Sequence, residues 1–184
     1  MKLNKITDDI FTIDEFWTKS ECEHFILKTE KIGYNAATVD TEKGAMVIKH
    51  VRNNNRVINI DSELAETIWY TLKPFAPGQI GHSFAIGLNE MFRFYKYEPG
   101  QQFKKHIDQG YIRDDSEASY YTFMIYLNDN YSGGETTFSN ITIHPRQGTG
   151  LIFLHTLEHA GTEVLKGTKY VLRTDIIYKL ESPA

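Results

Sequence analysis

Long apolar runs are missing from this sequence of 184 residues: no window approaches the roughly 18 consecutive apolar residues of a membrane-spanning helix. Cysteine is nearly absent. Cys22 stands alone, which excludes an intrachain disulfide and the Cys-rich zinc modules, and at an apolar helical position it reads as a packing residue rather than a reactive thiol. Runs of Lys or Arg are also lacking, and the formal charge is −4, so nothing draws the chain to a phosphate backbone or an anionic membrane. No nucleic-acid or membrane partner is indicated. Met1 to Asp9 is polar with two acids and does not read as a signal peptide, and the expectation is a cytoplasmic protein in a reducing compartment.

What is plentiful is aromatic: 11 Tyr and 11 Phe, many in short runs, lean toward strands and aromatic-lined pockets. The length suits one domain over residues 1–184. Thr18-Lys-Ser-Glu21 matches a capping box and is followed by Cys22, Phe25 and Ile26 at helical spacing, which predicts a helix to about Lys31. Asp61 or Ser62 caps a second helix with Leu64, Ile68 and Leu72 on one stripe, ended by Pro74. Between them, the polar stretch from Gly33 to Asn59 reads as extended segments and loop near the active-site mouth. From Glu90 the pattern becomes short β runs: Glu90–Tyr97, Gln102–His106, Tyr120–Leu127, Glu135–Phe138, Ile141–His144, Gly150–Leu154, His159–Val164 and Lys169–Tyr178. The expected fold is mainly β, a double-stranded β-helix (jelly roll) with flanking N-terminal α-helices. Helical support spans about 14–75 and the core about 80–180.

His106-Ile-Asp108 sets an imidazole and a carboxylate two residues apart at a strand end, where period-2 geometry turns both to one face. His159, just after a core strand, completes a 2-His-1-carboxylate set, the arrangement that leaves coordination sites open on non-haem iron(II). Such chemistry needs a cation for the far carboxylate of a chelating 2-oxo acid. Lys169 and Arg173 lie on one side of one strand; Arg173, mid-strand and with a planar fork, ranks first, while Lys169 is expected to be wetter. The structural alternatives are an Arg173 pair with Asp175 or Glu163, and a solvated Lys169.

From Phe92 to Tyr178 the sequence resembles the catalytic domain of prolyl 4-hydroxylases, within the Fe(II)/2-oxoglutarate-dependent oxygenases. The resemblance rests on Tyr97-Glu-Pro-Gly-Gln-Gln-Phe-Lys-Lys-His106-Ile-Asp108, Tyr126-Leu-Asn, Gly133-Gly-Glu-Thr-Thr-Phe138, Pro145-Arg-Gln-Gly148, His159-Ala-Gly161 and Gly167-Thr-Lys169. It implies iron held by His106, Asp108 and His159, and 2-oxoglutarate held by Arg173 or Lys169 with Tyr97 and Tyr126. The Gly133-Gly134 turn places Thr137 toward the co-substrate pocket. It further implies O2 as oxidant, ascorbate as reductant, release of succinate and CO2, and hydroxylation of an aliphatic C–H, foremost in a peptidyl proline. The Trp that collagen-type enzymes carry near the end of the last strand is replaced by Thr174-Asp-Ile-Ile-Tyr178, which leaves the substrate open to free amino acids and small molecules.

Two rival readings differ in class. His155-Thr-Leu-Glu158-His159 matches the H-x-x-E-H pattern of zinc metalloproteases, but that chemistry needs a helix and the flanks read as strands. A jelly-roll binding module without activity is the other. The polar loop Gln109–Ser119, with Arg113, Asp114, Asp115 and Glu117, and the segment Ala37–Arg56 are expected to shape a groove for a polar or peptide partner.

Overall fold

The computed structural model describes residues 1–41, 44–46, 48 and 50–181; of the segment Ala37–Arg56, positions 42, 43, 47 and 49 lie outside the described residues. The first helix, Lys19–Ile32, begins at the capping box: Thr18 accepts from the Glu21 amide and the Glu21 carboxylate accepts from the Thr18 amide at 2.7 Å. The second, Ser62–Leu72, is capped by Asp61, which accepts from the Leu64 amide at 3.0 Å. No helix among the described residues is long and apolar enough to cross a membrane.

Each of the eight runs expected after Glu90 contains a strand. They form the two facing sheets of a jelly roll. The large sheet has Glu117–Tyr126 at its centre, flanked by Gly150–Leu154 and Lys169–Leu180, with Met91–Tyr97 beyond the latter. The small sheet runs Phe103–His106, His159–Gly161, Thr136–Thr137, Thr142–Ile143. Strands the sequence pattern did not single out extend the large sheet: Lys2–Lys5 and Ile10–Asp14 pair onto Gly150–Leu154, Asn55–Ile60 onto Met91–Tyr97, and Ser83–Leu88 onto Lys169–Leu180. These segments lack clean alternation because they take their register from a neighbour already formed.

Residue parity divides the large sheet's two faces. Phe92, Phe94, Phe123, Ile125, Ile152, Leu172 and Ile176 join Cys22, Ala65, Ile68 and Leu72 in a core beneath the helices. Tyr95, Tyr97, Met124, Tyr126, Leu151, Phe153 and Val171 turn the other way, into the space between the sheets. Phe25 links helix and sheet by stacking on Trp17 at 4.7 Å and on Phe94 at 5.8 Å. Cys22 is a fully buried packing residue, its thiol pushed up to about 11 by burial.

Candidate active site

The inward face of the jelly roll gathers the chemistry. His106 closes the strand Phe103–His106 in register with His159, which opens His159–Gly161, so the two imidazoles lie 4.3 Å apart between ring centres. Asp108 enters between them: Oδ1 is 3.7 Å from His106 Nε2 and Oδ2 is 3.7 Å from His159 Nε2. One ligand atom from each residue lies within 4.8 Å of the others. The remaining ring nitrogens are spoken for, with His106 Nδ1 2.7 Å from the Lys104 carbonyl and His159 Nδ1 2.9 Å from the Leu157 carbonyl. A carbonyl only accepts, so Nδ1 carries the proton and the Nε2 lone pair faces Asp108. Phe103 stacks on His106 at 3.5 Å and Phe153 packs against His159 at 4.5 Å, fixing both rings.

Electrostatics set the same protonation states. Burial, reinforced by His159, pushes His106 down to about 4; burial lowers His159 as well, against the pull of Asp108. Burial alone would raise the Asp108 carboxyl, but Arg173, His159 and a Thr122 hydrogen bond outweigh it and hold the group below its usual range. Thr122 Oγ1 donates to Asp108 Oδ2 at 2.6 Å, and Arg173 Nη2 lies 3.1 Å from the same oxygen. Two neutral imidazoles and one carboxylate, all oriented by their own partners, form a donor set that fits iron(II) with positions left open.

The cavity lined by the three residues is also lined by Tyr97, Met124, Thr136, Lys169 and Val171. Lys169 is opposite Tyr97 in the sheet register and is 2% exposed, not wet as its place near the strand start suggested. The turn at Gly133-Gly134 covers it: Lys169 Nζ donates to the Gly134 carbonyl at 2.6 Å and lies 5.2 and 5.6 Å from the ring centres of Tyr97 and Tyr126. Burial pushes this ammonium down to about 8, with Glu135 offsetting only part of the effect. Arg173 is engaged elsewhere. Its Nη2 lies 3.1 Å from both Asp108 Oδ2 and Asp175 Oδ1, and Asp175 in turn pairs with Arg93 at 3.3 Å. Arg173 therefore pairs with Asp175, one of the structural alternatives, and also with Asp108, while Lys169 lines the cavity with no ion-pair partner among the described residues.

Two further positions shift. Thr136, not Thr137, lines the cavity, because the period-2 strand turns Thr137 away. Tyr126 is fully buried behind it, donating to Thr136 Oγ1 at 2.7 Å, while Tyr97 stands at the cavity wall. The sequence reading missed Tyr95, Thr122 and Met124, each an even number of residues from Tyr97 or Tyr126 on its own strand, so strand parity held the signal. Arg52 lies in the stretch expected near the active-site mouth, and an isolated bridge to Phe103 brings it to the site. His155-Thr-Leu-Glu158 forms a turn rather than a helix, with His155 Nε2 3.6 Å from Asp175 and Glu158 paired outward with Lys105, so the metalloprotease geometry is not formed. In the loop after Asp108, Arg113 is tied to Glu90 and Glu117, and Gln109, Gly110 and Tyr111 instead line a second cleft that also reaches His106 and Asp108.

Comparison with known proteins agrees with this geometry. Residues 92–174 match the family model of the 2OG-Fe(II) oxygenase superfamily. A probable prolyl 4-hydroxylase of Arabidopsis thaliana is 24% identical over 190 residues, covering 85% of this chain and 56% of the relative, so this chain spans little more than half its length. The fold is shared with the viral collagen prolyl hydroxylase of Paramecium Bursaria Chlorella virus-1 in its 2OG complex (22% identity, 94% of this chain and 97% of that one, TM-score 0.66). It is shared also with a Trichoplax adhaerens prolyl hydroxylase solved with a hypoxia inducible factor peptide fragment (17%, 92% and 84%, TM-score 0.72). Over residues 92–174, which carry His106, Asp108 and His159, this chain is similar to the 2OG-Fe(II) oxygenase superfamily, and its fold is the one found in the prolyl hydroxylases compared.

Proposed function

We propose that residues 1–184 form one dioxygenase domain that uses iron(II), 2-oxoglutarate and O2 to hydroxylate an aliphatic C–H, foremost in a peptidyl proline, releasing succinate and CO2, with ascorbate as reductant. The observation that carries this reading is a single cavity lined both by the convergent, neutral-histidine and ionised-aspartate donor set and by a buried lysine with no carboxylate partner among the described residues. When bound, iron and 2-oxoglutarate supply the oxidising chemistry: one oxygen atom of O2 enters the co-substrate as it decarboxylates and the other enters the C–H bond.

The chain's own residues bind, orient and exclude water. His106 and His159 would present their Nε2 lone pairs to the metal, because their Nδ1–H groups are fixed on backbone carbonyls. Thr122 and Arg173 keep Asp108 ionised and in place. Lys169 would receive the far carboxylate of 2-oxoglutarate, with Tyr97 beside it and Tyr126 holding Thr136 at the wall. The apolar lining of Met124 and Val171 excludes water from the oxidising centre. A peptide substrate is supported by the relatives, among them the enzyme solved with a peptide fragment.

The test is succinate formation by purified protein with iron(II), ascorbate and 2-oxoglutarate under air, alone and with proline-containing peptides and free amino acids. Substrate-stimulated succinate that is lost in Asp108→Ala is the expected result. Full turnover in that variant would remove the metal centre from the mechanism.

A further inference from the structure

Beside the metal centre lies a second, wider cleft of about 340 Å³ that shares Tyr95, Phe103, His106, Asp108 and Arg173 with the inner cavity. In a chain of net charge −4 its lining is strongly cationic: Arg52, Arg56, Arg93 and Arg173 face it, and Asp108 is the one acid among its lining residues. Arg173 and Arg93 are matched by Asp108 and Asp175, and Arg56 donates to the Thr38 hydroxyl at 2.8 Å.

Arg52 has no carboxylate match; the groups that offset its burial are the Tyr95 and Tyr97 hydroxyls. It is 5% exposed, and among the described residues no carboxylate forms an ion pair with it. Its guanidinium is held between two aromatic faces, 4.3 Å from the ring centres of Tyr95 and Phe103, and Nε donates to Asn54 Oδ1 at 2.7 Å. Nη2 is buried with no hydrogen-bond partner. A guanidinium does not shed its proton, and an unpaired buried charge is costly, so an arginine locked by two rings with one edge unused is built for an anion that arrives from outside. Stacking fixes the plane of the fork and leaves its N–H edge to a planar acceptor.

Resting on the oxygenase reading above, we infer that the substrate carries a carboxylate and that Arg52 receives it beside the metal centre. Position supports the assignment. Phe103 packs against both the Arg52 guanidinium and the His106 ring, so an anion on Arg52 would sit one aromatic ring away from a candidate metal ligand. The far carboxylate of 2-oxoglutarate is served separately, since Lys169 lines the inner cavity and Arg52 does not. The carboxylate comes either from an acidic residue flanking the hydroxylated position of a peptide or from a free amino acid.

Matched probes separate the two sources: a proline-centred pentapeptide with Asp flanks against its Asn counterpart, and free L-proline against L-prolinamide. Affinity is read at equilibrium on the Mn(II)-substituted protein with 2-oxoglutarate present, and succinate release is followed in parallel with iron(II). In at least one pair the carboxylate member should bind about tenfold to a hundredfold tighter, as a charged hydrogen bond allows. Arg52→Gln should erase that ratio, Arg52→Lys should keep part of it, and neither should move the 2-oxoglutarate requirement. Equal affinity within both pairs, or an Arg52→Gln effect on 2-oxoglutarate instead, overturns the inference. A preserved carboxylate preference with no succinate overturns the oxygenase reading and leaves Arg52 as an anion site.

Discussion

Replacing Lys169 by Met removes an ammonium while keeping an aliphatic chain of similar length, and the structure assigns opposite signs to its two consequences. The ammonium is 2% exposed, spends one donor on the Gly134 carbonyl and has no ion-pair partner among the described residues. Its depression from 10.5 to about 8 corresponds to about 3 kcal/mol held against folding at neutral pH. The folded group titrates below the unfolded one, so the unfolded chain binds more protons between pH 8 and 10.5 and stability rises with pH across that window. Lys169→Met should lose this slope. After allowing about 1 kcal/mol for the orphaned Gly134 carbonyl, it should raise the stability of the ligand-free protein at pH 7 by about 1–2 kcal/mol. Binding of 2-oxoglutarate should suffer. Loss of one partner of a buried charge pair costs about 2–5 kcal/mol, so half-saturation should rise about 30-fold or more. Thermal unfolding with and without 2-oxoglutarate, together with succinate release against 2-oxoglutarate concentration, reads both effects. A variant that saturates like wild type, with Arg173→Met showing the large shift instead, would refute the assignment of Lys169 as anchor.

Arg173→Met should act on the metal rather than the co-substrate: Asp108 and Asp175 lose their shared cation, so Co(II) affinity should fall about 10–100-fold in a spectroscopic titration while 2-oxoglutarate half-saturation moves less. Metal-free protein should lose stability as pH falls from 6.5 toward 4. His106 takes up its proton in the unfolded chain before it does so in the folded one, a loss of up to about 3 kcal/mol measurable by urea unfolding across that range and absent in His106→Phe. Gly133→Ala should destabilise by about 2–3 kcal/mol in chemical denaturation and weaken 2-oxoglutarate binding. The residue has φ 74°, an added Cβ would lie 2.2 Å from the Glu163 carbonyl oxygen, and the same turn carries the Gly134 carbonyl that orients Lys169.

Local patterns reported local facts well. Both helices start at the caps their residues specify, because a capping side chain bonds to a backbone amide three positions away and nothing distant competes. The strands after Glu90 were visible because short runs rich in apolar and aromatic residues stand between turn residues. Strands paired at the margins, such as Lys2–Lys5 and Ser83–Leu88, were not, since their partners rather than their own pattern hold them extended.

By itself, the sequence determined the strand parity that puts Lys169, Val171, Arg173 and Asp175 on one side of one strand, and the motif order that places His106, Asp108 and His159 at strand ends. Which cation meets which anion was decided only in three dimensions. Register sets Lys169 opposite Tyr97 and beneath the Gly133-Gly134 turn, while Arg173 falls within 3.1 Å of Asp108 and Asp175. Arg52 reached the site through a bridge to a strand fifty residues away, where two rings hold it with an edge unpaired. Charge pairing depends on distances of a few ångström between segments remote in the chain, and local periodicity carries no information at that range.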